Sequence, residues 1–149
     1  MRYVHRATVL LALLVALAPG PAVAQQAESS RVTVETLIQT TSSWDGAPYQ
    51  HYPAGAPELS VLKISIPAHT ALSWHTHPMP NAAYVLSGEL TVEKRGGPSK
   101  RFTTGQVVAE MVGSIHRGIT GNEPVVLLLF YPGTPGMPLS EEASNATGR

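Results

Sequence analysis

Three histidines fall into two short runs, Trp74-His75-Thr76-His77-Pro78-Met79-Pro80-Asn81 and Gly113-Ser114-Ile115-His116. On an extended strand, side chains two apart share a face. His75 and His77 can therefore aim two imidazoles into one space while Trp74 and Thr76 turn the other way. Imidazole is the commonest protein ligand for first-row transition metals. Two ligands on one strand need a third, and usually a fourth, from elsewhere, and His116 and Asn81 are the candidates. An H-x-H pair is as often two polar residues on a solvated face, so the pair alone does not decide.

The elements around these runs read as short strands. Residues 59–66 alternate, with Leu62, Ile64 and Ile66 against Val61, Lys63 and Ser65. Pro67-Ala68-His69-Thr70 turns the chain, with His69 expected to be exposed, and residues 72–77 return it. Pro78 and Pro80 bracket a bend that no helix tolerates. Residues 81–87 place Asn81, Ala83 and Val85 on one face; residues 89–94 set Leu90 and Val92 against Thr91 and Glu93. Residues 124–131 are apolar on both faces, which implies cover on both sides. Upstream, residues 31–40 alternate as a β-branched strand, and residues 41–57, with Gly46, Pro48, Pro53, Gly55 and Pro57, form a loop. Trp44, Tyr49 and Tyr52 in that loop either cover an opening of the barrel or staple the loop to its outside. Past Pro132 the chain is rich in Pro, Gly and Ser, the composition of a fraying tail. The expected organisation is a signal peptide at 1–24, an N-terminal strand and loop at 25–58, a barrel core at 59–131 and a flexible tail at 132–149.

The two histidine runs sit in a longer frame. His69 is followed after five residues by His75-x-His77, after three more by Asn81 and after six by Gly88. Gly105 is followed after five residues by Met111-Val112-Gly113, after two by His116 and after three by Thr120. This frame resembles the two motifs of the cupin superfamily over roughly residues 59–131. His69, Asn81, Met111 and Thr120 stand where the family has Gly, Glu, Pro and Asn. The resemblance, with short strands punctuated by Gly and Pro, implies an all-β double-stranded β-helix, a jelly-roll barrel. It also implies a divalent transition ion (Mn, Fe, Ni, Cu or Zn) on His75, His77, His116 and the position of Asn81. Loss of the family carboxylate makes Asn81 a weaker donor, or a residue that orients metal-bound water. Three neutral imidazoles would leave the ion its full charge and open positions. Glu110, the nearest other carboxylate in sequence to His116, is a replacement ligand or a base, although the common state of a Glu is solvated. Tyr84, on the opposite face from Asn81, reads as packing.

Composition narrows the classes. The 149 residues suggest one domain. Arg2 and Arg6 precede the apolar run 7–18, then Pro19-Gly20-Pro21 and the small-x-small site Ala22-Val23-Ala24. That is the pattern of a cleaved signal peptide, with the periplasm or the exterior as destination and no membrane attachment after cleavage. Cleavage after Ala24 would leave eight Lys and Arg against ten Asp and Glu, without the basic stripe that nucleic-acid binding requires. Cysteine is absent, which excludes disulfides and thiolate metal sites. The doubly apolar strand at 124–131 predicts a homodimer, since an exposed apolar strand invites association. Two functions remain: a metal-dependent enzyme of the oxygenase type acting on a small organic molecule, as three-histidine cupins often are, or an envelope protein that binds a metal or small molecule without turnover.

Overall fold

In the computed structural model, residues 31–143 are described. Contacts divide the chain into two units, Met1–Val34 and Glu35–Arg149, and the strands among the described residues lie in the second. The segment 1–24, expected to be a signal peptide, falls outside the described residues.

Among the described residues nine strands form two antiparallel sheets. β1 (Glu58–Ile66), β8 (Val125–Gly133), β3 (Ala82–Ser87) and β6 (Val107–Ala109) make one, in that order. β5 (Ser99–Thr103), β4 (Glu89–Lys94), β7 (His116–Thr120), β2 (His75–Thr76) and β9 (Glu141–Glu142) make the other. The inner faces supply one core from both sheets, as a jelly roll must: Ala83, Val85, Val108, Val125, Leu127 and Leu129 from the first, Leu90, Val92 and Phe102 from the second. The described residues contain no helix. The all-β cupin-type barrel expected from the strand pattern and motifs is the observed fold.

Period-two patterning explains the faces. Along β8, Val125, Leu127, Leu129 and Tyr131 are buried while Leu128 and Phe130 are 39% and 45% exposed. β1 runs antiparallel to it without interruption, from Glu58 opposite Gly133 to Ile66 opposite Val125. β3 pairs on the other side of β8, with a bulge between Val85 and Ser87 that ends where Gly88 turns the chain. Gly88 has φ +83°, and a Cβ there would meet the Pro124 carbonyl oxygen at 2.4 Å, so glycine is required on two counts.

Two expectations about the flanks need correction. Residues 31–40 form no strand, and all ten are exposed. Alternation alone makes no strand, since backbone groups must also pair with a neighbour, and 31–40 pairs with no strand among the described residues. Conversely, the tail from Pro132 does not simply fray. β8 continues to Gly133, and Glu141–Glu142 pairs with β2, Glu142 opposite His75 and Glu141 opposite Thr76. Met137 and Leu139 pack against the core. Composition scored the Pro, Gly and Ser content but not these few anchoring side chains and backbone pairs.

The loop at 41–57 is fastened to the barrel. Trp44 packs edge-on to Phe102, ring centroids 6.4 Å apart, and its backbone N–H donates to the Ala109 carbonyl. Asp45, its side chain 4% exposed, accepts from Lys94 Nζ at 2.7 Å. Tyr49 donates its hydroxyl to the Glu110 carbonyl at 2.7 Å. Tyr52 remains 67% exposed.

Candidate metal centre

β2 is only two residues long, but it lies between β7 and β9 and carries the first histidine into the barrel. His75 sits directly opposite His116 of β7, a position that brings side chains on one face together. Just past β2, His77 bridges Val112, and its carbonyl accepts from the Gly113 N–H at 2.9 Å. The three rings converge, with centroids 4.6 Å apart for His75–His116, 5.0 Å for His75–His77 and 5.1 Å for His77–His116. One nitrogen from each lies within 4.8 Å of the others.

Backbone carbonyls determine which nitrogen faces the centre. His75 Nδ1 lies 2.8 Å from the Ser73 oxygen, His77 Nδ1 2.7 Å from the Leu139 oxygen and His116 Nδ1 2.8 Å from the Ser114 oxygen. A carbonyl oxygen only accepts, so each Nδ1 carries the proton and each Nε2 of a neutral ring holds a free lone pair. A carbonyl partner on the far nitrogen is how metal-ligating histidines are usually oriented. Burial is the largest influence on His77 and leaves its pKa below the ordinary 6.5, favouring the neutral ligand form. For His116, burial pulls the same way, but the Glu110 carboxylate and the Ser114 carbonyl outweigh it and the net shift is upward.

Asn81 and Glu110 are both buried. Asn81 is 6% exposed, its Nδ2 donates to the Met79 carbonyl at 3.1 Å, and it is not among the residues lining the cavity beside the histidines. Glu110, expected to be solvated, is 6% exposed and lines that cavity. Its Oε2 lies 3.3 Å from His116 Nε2, and neither atom makes a hydrogen bond with acceptable geometry. Met79 and Met111 are fully buried and fill the core, as methionine usually does. His69 is exposed and adopts φ +54°, the left-handed conformation that the family's glycine takes without strain.

The histidines open onto a cavity of about 360 Å³. Leu62, Ile64, Leu72, Leu127 and Leu129 give it apolar walls, and among the described residues its lining contains no Lys or Arg. Two contributors were not anticipated. Tyr131 lines the cavity with its ring 5.7 Å from His77. Burial first, and the Glu110 charge second, push its phenol up to about 12, so it stays a hydrogen-bond donor. The inward register of β8 was the signal that could have found it. The other contributor is the tail, where Leu139, Ser140 and Glu142 complete the wall; nothing in its composition announced that.

The donor set suits a divalent transition ion. With the rings neutral, three lone pairs converge, and buried Glu110 Oε2 and His116 Nε2 have no hydrogen-bond partner among the described residues, a state that is costly unless something else satisfies them. Imidazole and carboxylate together accept Mn, Fe, Ni, Cu or Zn.

Fold and site define a cupin barrel with a three-histidine cluster that suggests a divalent-metal site. Residues 62–131 match the cupin domain family (Cupin_2). Similar solved structures include the DMSP lyase DddQ from Ruegeria pomeroyi, with TM-score 0.53 and 22% identity over 70% of this chain and 49% of that one. The polyketide cyclase RemF from Streptomyces resistomycificus gives 0.51 and 18% over 62% and 66%, and a cupin-like protein from Thermotoga maritima gives 0.50 and 18% over 60% and 67%. The match spans about half the length of the lyase. At these identities the likeness is one of fold. No curated protein matches the chain.

Proposed function

We propose that this chain is an exported, metal-dependent enzyme of the oxygenase type that acts on a small organic molecule. The observation that carries the reading is the cavity of about 360 Å³ lined by all three histidines. A site that only stored metal would need no apolar chamber beside it, and catalytic metal sites keep such an open side. An ion bound there would supply Lewis acidity.

The chain's own residues then select the substrate. Leucine and isoleucine walls hold an apolar body, and the Tyr131 hydroxyl, kept protonated by burial, donates to a polar group on it. Among the described residues no Lys or Arg lines the chamber to neutralise a carboxylate, so the ion is the countercharge a substrate anion would meet there. The lyase and cyclase among the solved structures catalyse unlike reactions on this fold, so the activity has to be argued from the site.

Metal analysis of protein purified from the periplasm, followed by an oxygen-uptake screen of small organic molecules, tests the reading. One ion per chain and substrate-dependent oxygen consumption are expected. A metal-loaded protein that binds such molecules without consuming oxygen or turning them over would instead be an envelope binding protein. The same proposal includes a homodimer. The outer face around Val61, Tyr84, Leu128 and Phe130 forms an apolar groove in which Glu35 is the sole charged residue among the described ones, so two copies of it meet without a run of like charges. Light scattering that finds a stable monomer at micromolar concentration would exclude the dimer.

A further inference from the structure

We infer that Glu110 supplies the anionic donor of the metal centre, replacing from the neighbouring strand the carboxylate that position 81 lacks. The inference rests on the metal-binding reading and adds a ligand to it.

The register makes the substitution possible. β3 and β6 run antiparallel with Ala82 opposite Ala109 and Ala83 opposite Val108. One step further along the same register, Asn81 faces Glu110, and the Glu110 N–H donates to the Asn81 carbonyl at 3.0 Å. Residues directly opposite in an antiparallel pair put their side chains on the same face, with Cβ atoms roughly 5 Å apart. A carboxylate on either residue therefore reaches the same region of the barrel, and the longer Glu side chain spans the offset.

Glu110 is also held in place for the task. Its N–H is held by Asn81, and its carbonyl accepts the Tyr49 hydroxyl at 2.7 Å. Just before it, the Ala109 carbonyl accepts the Trp44 N–H at 2.9 Å. With the backbone held from both sides, the side chain enters the cavity that the three histidines line. There Oε2 is fully buried without a hydrogen bond, 3.3 Å from an equally unpartnered His116 Nε2. A buried carboxylate oxygen with no donor is rare in folded proteins. A divalent ion shared with the three Nε2 atoms satisfies it and His116 together. The bound ion would then carry three neutral nitrogens and one negative oxygen. Asn81 turns its Nδ2 to the Met79 carbonyl, and its buried neutral Oδ1 has no hydrogen-bond partner among the described residues.

The competing account is a metal-free ion pair, with Glu110 holding a protonated His116 and never touching the ion. Cobalt(II) titration of the full chain, read both by competition with a chromogenic chelator and by the visible absorption of the bound ion, separates the two. His116→Ala is the control for the site itself: wild type should bind one cobalt and this variant none. If wild type binds none, the metal reading fails, whatever Glu110 does. If wild type binds, Glu110→Gln should weaken binding at least the roughly tenfold that even an outer partner of a ligand is worth, and change the cobalt spectrum. The double variant Asn81→Glu/Glu110→Gln returns the carboxylate from the opposite residue and should recover both affinity and spectrum. Should Glu110→Gln fail to fold, the double variant decides alone, because it restores the buried negative charge. Wild-type affinity with an unchanged spectrum in Glu110→Gln, or a folded double variant that does not regain binding, would overturn the assignment.

Discussion

Ending the chain after Thr134 should loosen metal binding without unfolding the barrel. The deletion removes the Leu139 carbonyl that accepts from His77 Nδ1 at 2.7 Å. It also removes the two pairs of β9 with β2 and the half-buried Met137 and Leu139 side chains. Partners that orient a metal-ligating histidine are worth about 10- to 100-fold in affinity, or roughly 1.4 to 2.7 kcal/mol. Losing half the burial of two large apolar side chains subtracts about 2 to 3 kcal/mol, which a domain with a typical 5–15 kcal/mol can lose and remain folded. His77 then turns freely, and its ring no longer has one nitrogen committed as donor.

The measurement is a cobalt competition titration on the truncated chain, with circular dichroism to verify that it is folded. A second variant separates backbone from packing. Leu139→Ala keeps the carbonyl and removes only the side chain, so it should lower the melting temperature while holding affinity within about twofold. A folded truncated chain that binds cobalt as tightly as the full chain would refute the argument. So would a Leu139→Ala variant that loses affinity as far as the truncation does, since the carbonyl would then be irrelevant.

Asp45→Asn should destabilise the fold by about 1 to 3 kcal/mol at neutral pH, because it leaves Lys94 without its buried acceptor. Burial raises the Asp45 pKa, but hydrogen bonds from Lys94, Ser43 and the Ala47 backbone outweigh it and the net shift is below 3.8. A depressed carboxyl contributes fully above its unfolded value and loses its contribution as pH falls through its folded one. Melting curves of the two proteins should therefore differ at pH 7 and converge well below pH 3.8; a constant gap would contradict this. His69→Gly should be neutral or stabilise by up to about 1 kcal/mol, since it relieves the left-handed φ of +54° at an exposed residue, while metal affinity stays unchanged. A lowered melting temperature would show that the His69 side chain has a structural role.

Period two and motif spacing made the barrel legible. Leu90 with Val92, and Leu127 with Leu129, face inward because each stands two residues from its partner on a strand with one buried side. The histidines were legible for the same reason, as His75 and His77 share a strand face and His116 lies at a motif position that the register sets opposite His75. Glu110 was hidden because its direction depends on the pairing of β6 with β3 and on the Tyr49 hydroxyl, contacts between residues far apart in sequence. The tail was misread for a related reason. Its Pro and Gly content describes local backbone preference, whereas two strand pairs, two apolar side chains and one carbonyl hold it in place. Residues 31–40 show the converse, an alternation that pairs with no strand among the described residues.

The departure of position 81 from the family pattern follows from the same distinction. Read along the chain, Asn for Glu is the loss of a charged ligand and predicts an ion with three neutral donors. Read across the sheet, positions 81 and 110 are one site with two possible suppliers, because their side chains leave opposite strands on the same face. A second carboxylate at 81, with Glu110 kept, would set two like charges a few ångströms apart in a buried place, which is destabilising. One acidic residue at the pair is therefore the favourable number, and a neutral residue at 81 is what a carboxylate at 110 requires.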